Sequence, residues 1–223
     1  LGDVSALSID LHSGRFELGE GEERNSSGVI PRLLIIGGEE ENLATLEQTL
    51  QEELPHHERL RYECLSAKRP ERKEEFPNFI KLLTTADLIL WSLSADQPAK
   101  SVDLALKEAL MHHFETLDPL KPRPKILFLL MRIESLMPAK FDETLLKEML
   151  HYNHSLFAPS PLLPLPKRDS SALFRWLTDH YSEIEESAKR RKIGEKRSPF
   201  SWREQLKRVE RVTESYLKNK SHS

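Results

Sequence analysis

A repeating rhythm constrains this chain more than any other feature: short apolar runs recur, separated by stretches with helical spacing. The runs are Arg32-Leu-Leu-Ile-Ile-Gly-Gly, Leu60 to Leu65, Asp87-Leu-Ile-Leu-Trp-Ser-Leu-Ser and Lys125-Ile-Leu-Phe-Leu-Leu-Met. The first, third and fourth are nearly continuous in apolar character rather than alternating. That is the pattern of strands covered on both faces, as in a parallel sheet. Between them, Leu43, Leu46 and Leu50 predict a helix over Glu40 to Leu54 closed by Pro55, and Phe76 to Thr85 is helical with Pro77 in its first turn. Asp103 to Leu117 is amphipathic, Asp142 opens a helix through Leu156, and Ser170 or Ser171 caps another through Ser187. Leu162-Leu-Pro-Leu is a proline-broken edge strand. Strands alternating with helices of this length predict an α/β fold: three layers, a mostly parallel sheet and helices on both faces.

Flanking segments differ in composition. Residues 1–30 form an extension with strand-like Val4 to Leu11 and Arg15-Phe-Glu-Leu, followed by an acidic Ser/Gly-rich linker from Gly19 to Gly28. The α/β domain covers 31–187. Residues 188–223 are a basic helical tail, in which Leu206, Val209, Val212 and Leu217 form an apolar stripe. Net charge is only −3, yet residues 1–67 hold fourteen acids against five Arg, whereas 189–220 hold twelve Lys/Arg against four Glu. Such segregation points to a charged surface at each end. One cysteine, Cys64, excludes an internal disulfide framework and a Cys-based zinc site. The longest apolar run, Ile126 to Met131, is far below the ~20 residues a membrane-spanning helix needs. A start at Leu1 is consistent with an excised piece, and nothing in the sequence marks an oxidising compartment, so the expected location is cytoplasmic.

In parallel α/β sheets, ligands gather where strands end and loops lead into helices. After the first core strand stands Gly37-Gly-Glu-Glu-Glu-Asn. A phosphate-binding loop needs G-x-x-x-x-G-K-[ST], whose backbone N–H groups and Lys surround the phosphates. Glu39, Glu40 and Glu41 satisfy the positive end of a helix dipole but repel a triphosphate. The G-x-G-x-x-G fingerprint is absent too.

The central run Thr85-Ala-Asp-Leu-Ile-Leu-Trp-Ser-Leu-Ser-Ala-Asp-Gln-Pro-Ala-Lys-Ser-Val-Asp resembles the strand and following loop of Era/Der-like bacterial GTPases. The order of segments over residues 31–186 is similar to the Ras-like GTPase plan. On that resemblance Gly37-Gly38 falls at the phosphate loop, and Leu65-Ser-Ala-Lys at the metal-sensing turn. Met131-Arg-Ile-Glu falls at the guanine-reading loop, and Lys167-Arg-Asp-Ser-Ser before the last helix. Every catalytic motif departs from the family. No Lys with Ser/Thr follows Gly38, Cys64-Leu-Ser-Ala lacks the aspartate and glycine of the D-x-x-G turn, and Arg132 matches nothing at the base-reading loop. The resemblance therefore implies a bacterial pseudo-GTPase, on a P-loop-type plan without a P-loop, with no catalytic, cofactor-binding or metal residues carried over. A rival is the receiver domain, which Leu33-Leu-Ile-Ile-Gly-Gly-Glu-Glu-Glu-Asn-Leu also resembles. Its phosphorylatable Asp should end the third strand, where Trp91-Ser-Leu-Ser stands.

Other constellations carry less. His112-His113 and His151-x-x-His154 lack the companions a metal centre needs. Asp87, Asp96 and Asp103 suit strand ends and helix caps, and Cys64 a buried small hydrophobe. In the tail, Trp202, Arg203, Leu206, Arg208, Val209, Val212 and Leu217 are the candidate partner-binding residues, because Glu204, Glu210 and Glu214 interleave the basic ones and favour a protein-docking helix. The expected function is a non-catalytic scaffold or assembly subunit of a larger protein complex, not an enzyme and without a cofactor. Alternatives are a divergent nucleotide-binding protein using Glu134, Lys167 and Arg168, or nucleic-acid binding through the basic tail.

Overall fold

The computed structural model describes residues 16–17, 28–97, 100–118, 121–136 and 143–195. The expected strand at Val4 to Leu11, most of the acidic linker and the seven candidate partner-binding residues from Trp202 to Leu217 lie outside them. Among the described residues, six strands form one sheet: β1 (Phe16–Glu17), β2 (Arg32–Gly37), β3 (Glu63–Lys68), β4 (Leu88–Ser94), β5 (Lys125–Met131) and β6 (Leu162–Leu165). Their order is β1-β3-β2-β4-β5-β6. The five core strands run parallel, and β1 joins the β3 edge antiparallel.

Among the described residues, five α-helices connect or follow them: α1 (Glu40–Glu53), α2 (Phe76–Leu83), α3 (Ser101–Thr116), α4 (Glu143–Phe157) and α5 (Ser171–Glu195). Alternate residues of each central strand face opposite layers, as the pleat requires. Leu34, Ile36, Ile89, Trp91, Leu93, Phe128 and Leu130 pack with α2, α3 and α4. Leu33, Ile35, Leu88, Leu90, Leu127 and Leu129 pack with α1 and α5. Both faces are thus buried, which is why these strands carry no polar alternation. Trp91, Phe128 and Phe157 pack in series as tilted ring pairs with centroids 5.2 and 4.5 Å apart, joining β4, β5 and α4. Each such fully buried side chain contributes roughly 1.5–3 kcal/mol or more. Pro164 sits in β6 at the sheet's edge, the place where a missing N–H costs least.

Two elements differ from the sequence reading by more than two residues. β3 begins at Glu63, not Leu60. Leu60 N–H closes a turn onto His57 O, and Leu60 and Tyr62 are buried ahead of the strand, so the apolar pattern starts early. Leu65 to Lys68 is consequently strand rather than turn. α5 runs to Glu195, eight residues past Ser187, because its last turns are anchored to the sheet. There Asp87, only 1 % exposed, accepts Arg32 N–H at 2.8 Å and both Arg191 Nε–H and Nη2–H at 2.9 Å. Lys125 pairs with Glu183, and Tyr181 O–H donates to Arg61 O.

Candidate functional site at the strand carboxyl ends

From β2 the chain crosses through α1 to β3 on one side, and from β3 through α2 to β4 on the other. The carboxyl ends of β2 and β4 therefore form the topological switch point, the usual ligand crevice of such sheets. Here it is filled by side chains of the chain itself.

A Cβ on Gly37 would lie 2.0 Å from Ser92 Oγ, which donates to Ile36 O at 3.1 Å. A Cβ on Gly38 would lie 2.7 Å from Arg69 Nη2 and 2.8 Å from its Cζ. The two glycines thus allow close approach, but of β4 and of a guanidinium. Arg69 follows β3 directly, with its N–H donating to Gly37 O at 2.8 Å, and its side chain is buried over the turn. Its Nε lies 2.7 Å from Asp103 Oδ1, which also accepts Trp91 Nε1–H at 3.0 Å. Burial pushes the Asp103 carboxyl up, against the pull of Arg69 and the Trp91 indole toward the charged form. Asp103 is an inward-facing first-turn residue of α3 that holds Arg69 in place. Sequence reasoning placed it as a helix-cap or strand-end residue and assigned Arg69 no role.

Glu39 crosses the mouth of the crevice. Its Oε1 meets Lys100 Nζ at 2.7 Å; its Oε2 lies 3.6 Å from Arg132 Nη1 and accepts Asn42 Nδ2–H at 3.3 Å. One carboxylate therefore ties together the loops after β2, β4 and β5. Arg132 does this from the left-handed region, φ 62°, an uncommon conformation for a residue other than glycine. Beside it, exposed Asp96 accepts Ser94 O–H at 2.5 Å, and that bond, with Arg132 and Lys100 nearby, holds its carboxyl below the usual range.

The structure also brings Glu134, Lys167 and Arg168 together. They line a cleft of about 290 Å³ between α1 and the loops after β5 and β6, with Arg132 beside Glu134 and with Glu41 and Glu52 on the α1 side. Lys167 N–H donates to Glu134 Oε1 at 2.5 Å, and Asp169 Oδ1 accepts Ser171 N–H at 3.0 Å to cap α5. The Ser171 hydroxyl, together with that capping N–H, holds the Asp169 carboxyl low. The remaining sequence candidates are apart from the crevice. His112 pairs with Glu115 on the outside of α3, and no cluster of metal-ligating side chains occurs among the described residues. Cys64 is buried in β3, where burial pushes its thiol up. Of the run Lys189 to Lys192, read as free tail, Lys189 pairs with Glu185 and Glu186, and Arg191 is committed to Asp87.

No family model and no curated protein matches the sequence. Among solved structures, the chain is similar to translation elongation factor SelB from Methanococcus maripaludis, crystallised with the GTP analogue GPPNHP. Identity is 15%, the TM-score is 0.45, and the similarity covers 72% of this chain but 35% of that one. The chain thus spans about a third of that protein. It is a doubly wound α/β protein whose switch point holds its own ion pairs. Among the described residues, no helix is long and apolar enough to cross a membrane.

Proposed function

We propose that this chain is a non-catalytic scaffold: an α/β domain of nucleotide-binding plan that serves as an assembly subunit in a larger protein complex. The observation that carries this reading is Arg69, whose guanidinium lies against Gly38 where a phosphate would have to approach. Ligation by Asp103 keeps it there, and Glu39 with Lys100 and Arg132 closes the mouth. A nucleotide would have to displace at least two ion pairs, one of them buried, and face Glu39 to Glu41 at the start of α1. Displacing a buried pair costs several kcal/mol, which a phosphate contact would first have to repay. A rigid closed crevice suits a part that presents surfaces rather than one that switches.

Thermal unfolding with GTP, GDP and ATP, each with and without Mg²⁺, tests this. A ligand at 100 times its Kd stabilises by about 2.7 kcal/mol, roughly 5–10 °C in Tm for a chain of this size. The scaffold reading expects shifts below about 1 °C at millimolar nucleotide. A second reading, nucleotide binding in the cleft, is favoured by the meeting of Glu134, Lys167 and Arg168. It requires a shift that Lys167→Ala with Arg168→Ala abolishes.

A further inference from the structure

We propose that residues 12–17 form one continuous edge strand along β3, and so keep a second copy of this chain from pairing there. The edge of a sheet presents a row of backbone N–H and C=O groups that any other strand can use. Of the two edges of the parallel core, β6 is interrupted by Pro164, whereas β3, Glu63-Cys-Leu-Ser-Ala-Lys, has no proline. Glu63 N–H donates to Pro31 O at 2.9 Å and Arg69 N–H to Gly37 O at 2.8 Å, so the odd-numbered residues of β3 bond inward to β2. Cys64, Ser66 and Lys68 therefore turn their backbone groups outward. Among the described residues, the outer ladder reaches only the first of these: β1 sets Phe16 opposite Cys64 and Glu17 opposite Glu63, antiparallel.

Fifteen residues precede Phe16, and the register fixes what the nearest of them face. Continued, it sets Arg15 opposite Leu65, Gly14 opposite Ser66, Ser13 opposite Ala67 and His12 opposite Lys68: six residues of arm against the six of β3. Gly14 and His12 share the parity of Phe16, so their backbone groups meet those of Ser66 and Lys68. Residues 12–15 lie outside the described residues; chain continuity and the β1 register bring them to this edge. A two-residue ladder is marginal alone, and its continuation adds bonds without a change of direction. Bare, the same edge suits a second copy. A two-fold axis through Ser66 sets Cys64 opposite Lys68 of the second copy and brings Glu63 of each strand toward Lys68 of the other, a favourable pairing of charge. The arm prevails because residues 18–31 tether it to β2, which keeps its local concentration high. None of this depends on whether the crevice binds a nucleotide.

Hydrogen exchange of the full chain in dilute solution, resolved at single amides, tests the proposal. The triple variant His12→Pro, Gly14→Pro, Phe16→Pro removes the three N–H groups that face β3. Ser66 and Lys68 should exchange at least about five-fold more slowly in the wild type than in that variant. Ser13→Pro with Arg15→Pro removes donors that face away, and should leave the protection in place. Leu65 and Ala67, on the β2 side, should stay protected throughout and report an intact sheet. As the triple variant is concentrated, light scattering should show its mass rising above that of the wild type while Ser66 and Lys68 regain protection. Equal exchange at Ser66 and Lys68 in wild type and triple variant overturns the proposal. So does equal loss of protection from both proline sets, or a triple variant that keeps the mass of the wild type at every concentration.

Discussion

Arg191→Met examines the anchor that holds the end of α5. Asp87 is 1 % exposed and accepts three N–H groups, two of them from Arg191. Methionine keeps much of the side-chain volume but leaves the carboxylate buried with only the Arg32 N–H among these three donors. Breaking one side of a buried pair costs about 3–5 kcal/mol. At roughly 2–4 °C per kcal/mol for this size, Tm should fall by about 6–20 °C. Urea unfolding of wild type, Arg191→Met, Asp87→Asn and the double variant closes a thermodynamic cycle. The double variant should be less destabilised than the sum of the singles by at least ~1 kcal/mol, because it removes both charges together. Hydrogen exchange should speed up selectively in α5 beyond Glu186. Additive singles, or a cost under about 1 kcal/mol for Arg191→Met, would mark an ordinary surface pair and refute the anchor.

Other perturbations follow from the same geometry. Gly37→Ala should cost about 1–3 kcal/mol by driving a methyl into Ser92 Oγ, and Ser92→Ala should recover part of that loss in urea unfolding. Arg69→Met removes the cation that opposes the burial of Asp103, so that carboxyl should move further above its unfolded value near 3.9. The folded state then keeps a proton that the unfolded chain releases, and stability falls as pH rises through that window. The stability gap to wild type should therefore widen from pH 4 to pH 7 in denaturant titrations; a constant gap would contradict it. Cys64 should resist alkylation in the native protein at pH 8 and react only as fast as the fold opens, read by mass spectrometry against urea concentration.

Much of the scaffold was legible because its strands are buried on both faces. β2, β4 and β5 show as unbroken apolar runs, and α1 and α3 as spaced leucines, with no competing local signal. The five parallel strands and the three layers follow from that alternation. What escaped is held by pairs distant in sequence. Arg191 and Asp87 are 104 positions apart, so nothing local showed that α5 continues through a run of four cations. Arg69 carried no local signal, because its burial depends on Gly38 having no side chain and on Asp103 facing inward. The only hint was an Arg directly after an apolar strand and a pair of glycines ending its neighbour. Glu134, Lys167 and Arg168 were placed on the rim because loops after parallel strands converge there. Their cleft with α1 depends on the packing of that helix.

In this fold the crevice between β2 and β4 is occupied by the chain's own charges. The amide signals of Gly37, Gly38 and Glu39 report on it directly in ¹H–¹⁵N correlation spectra, with GTP, GDP or ATP and Mg²⁺ added to millimolar concentration. If Arg69 and Glu39 hold the site, these three signals stay in place with every nucleotide. Saturable shifts centred on them would show a phosphate reaching Gly38, and the scaffold reading would fall.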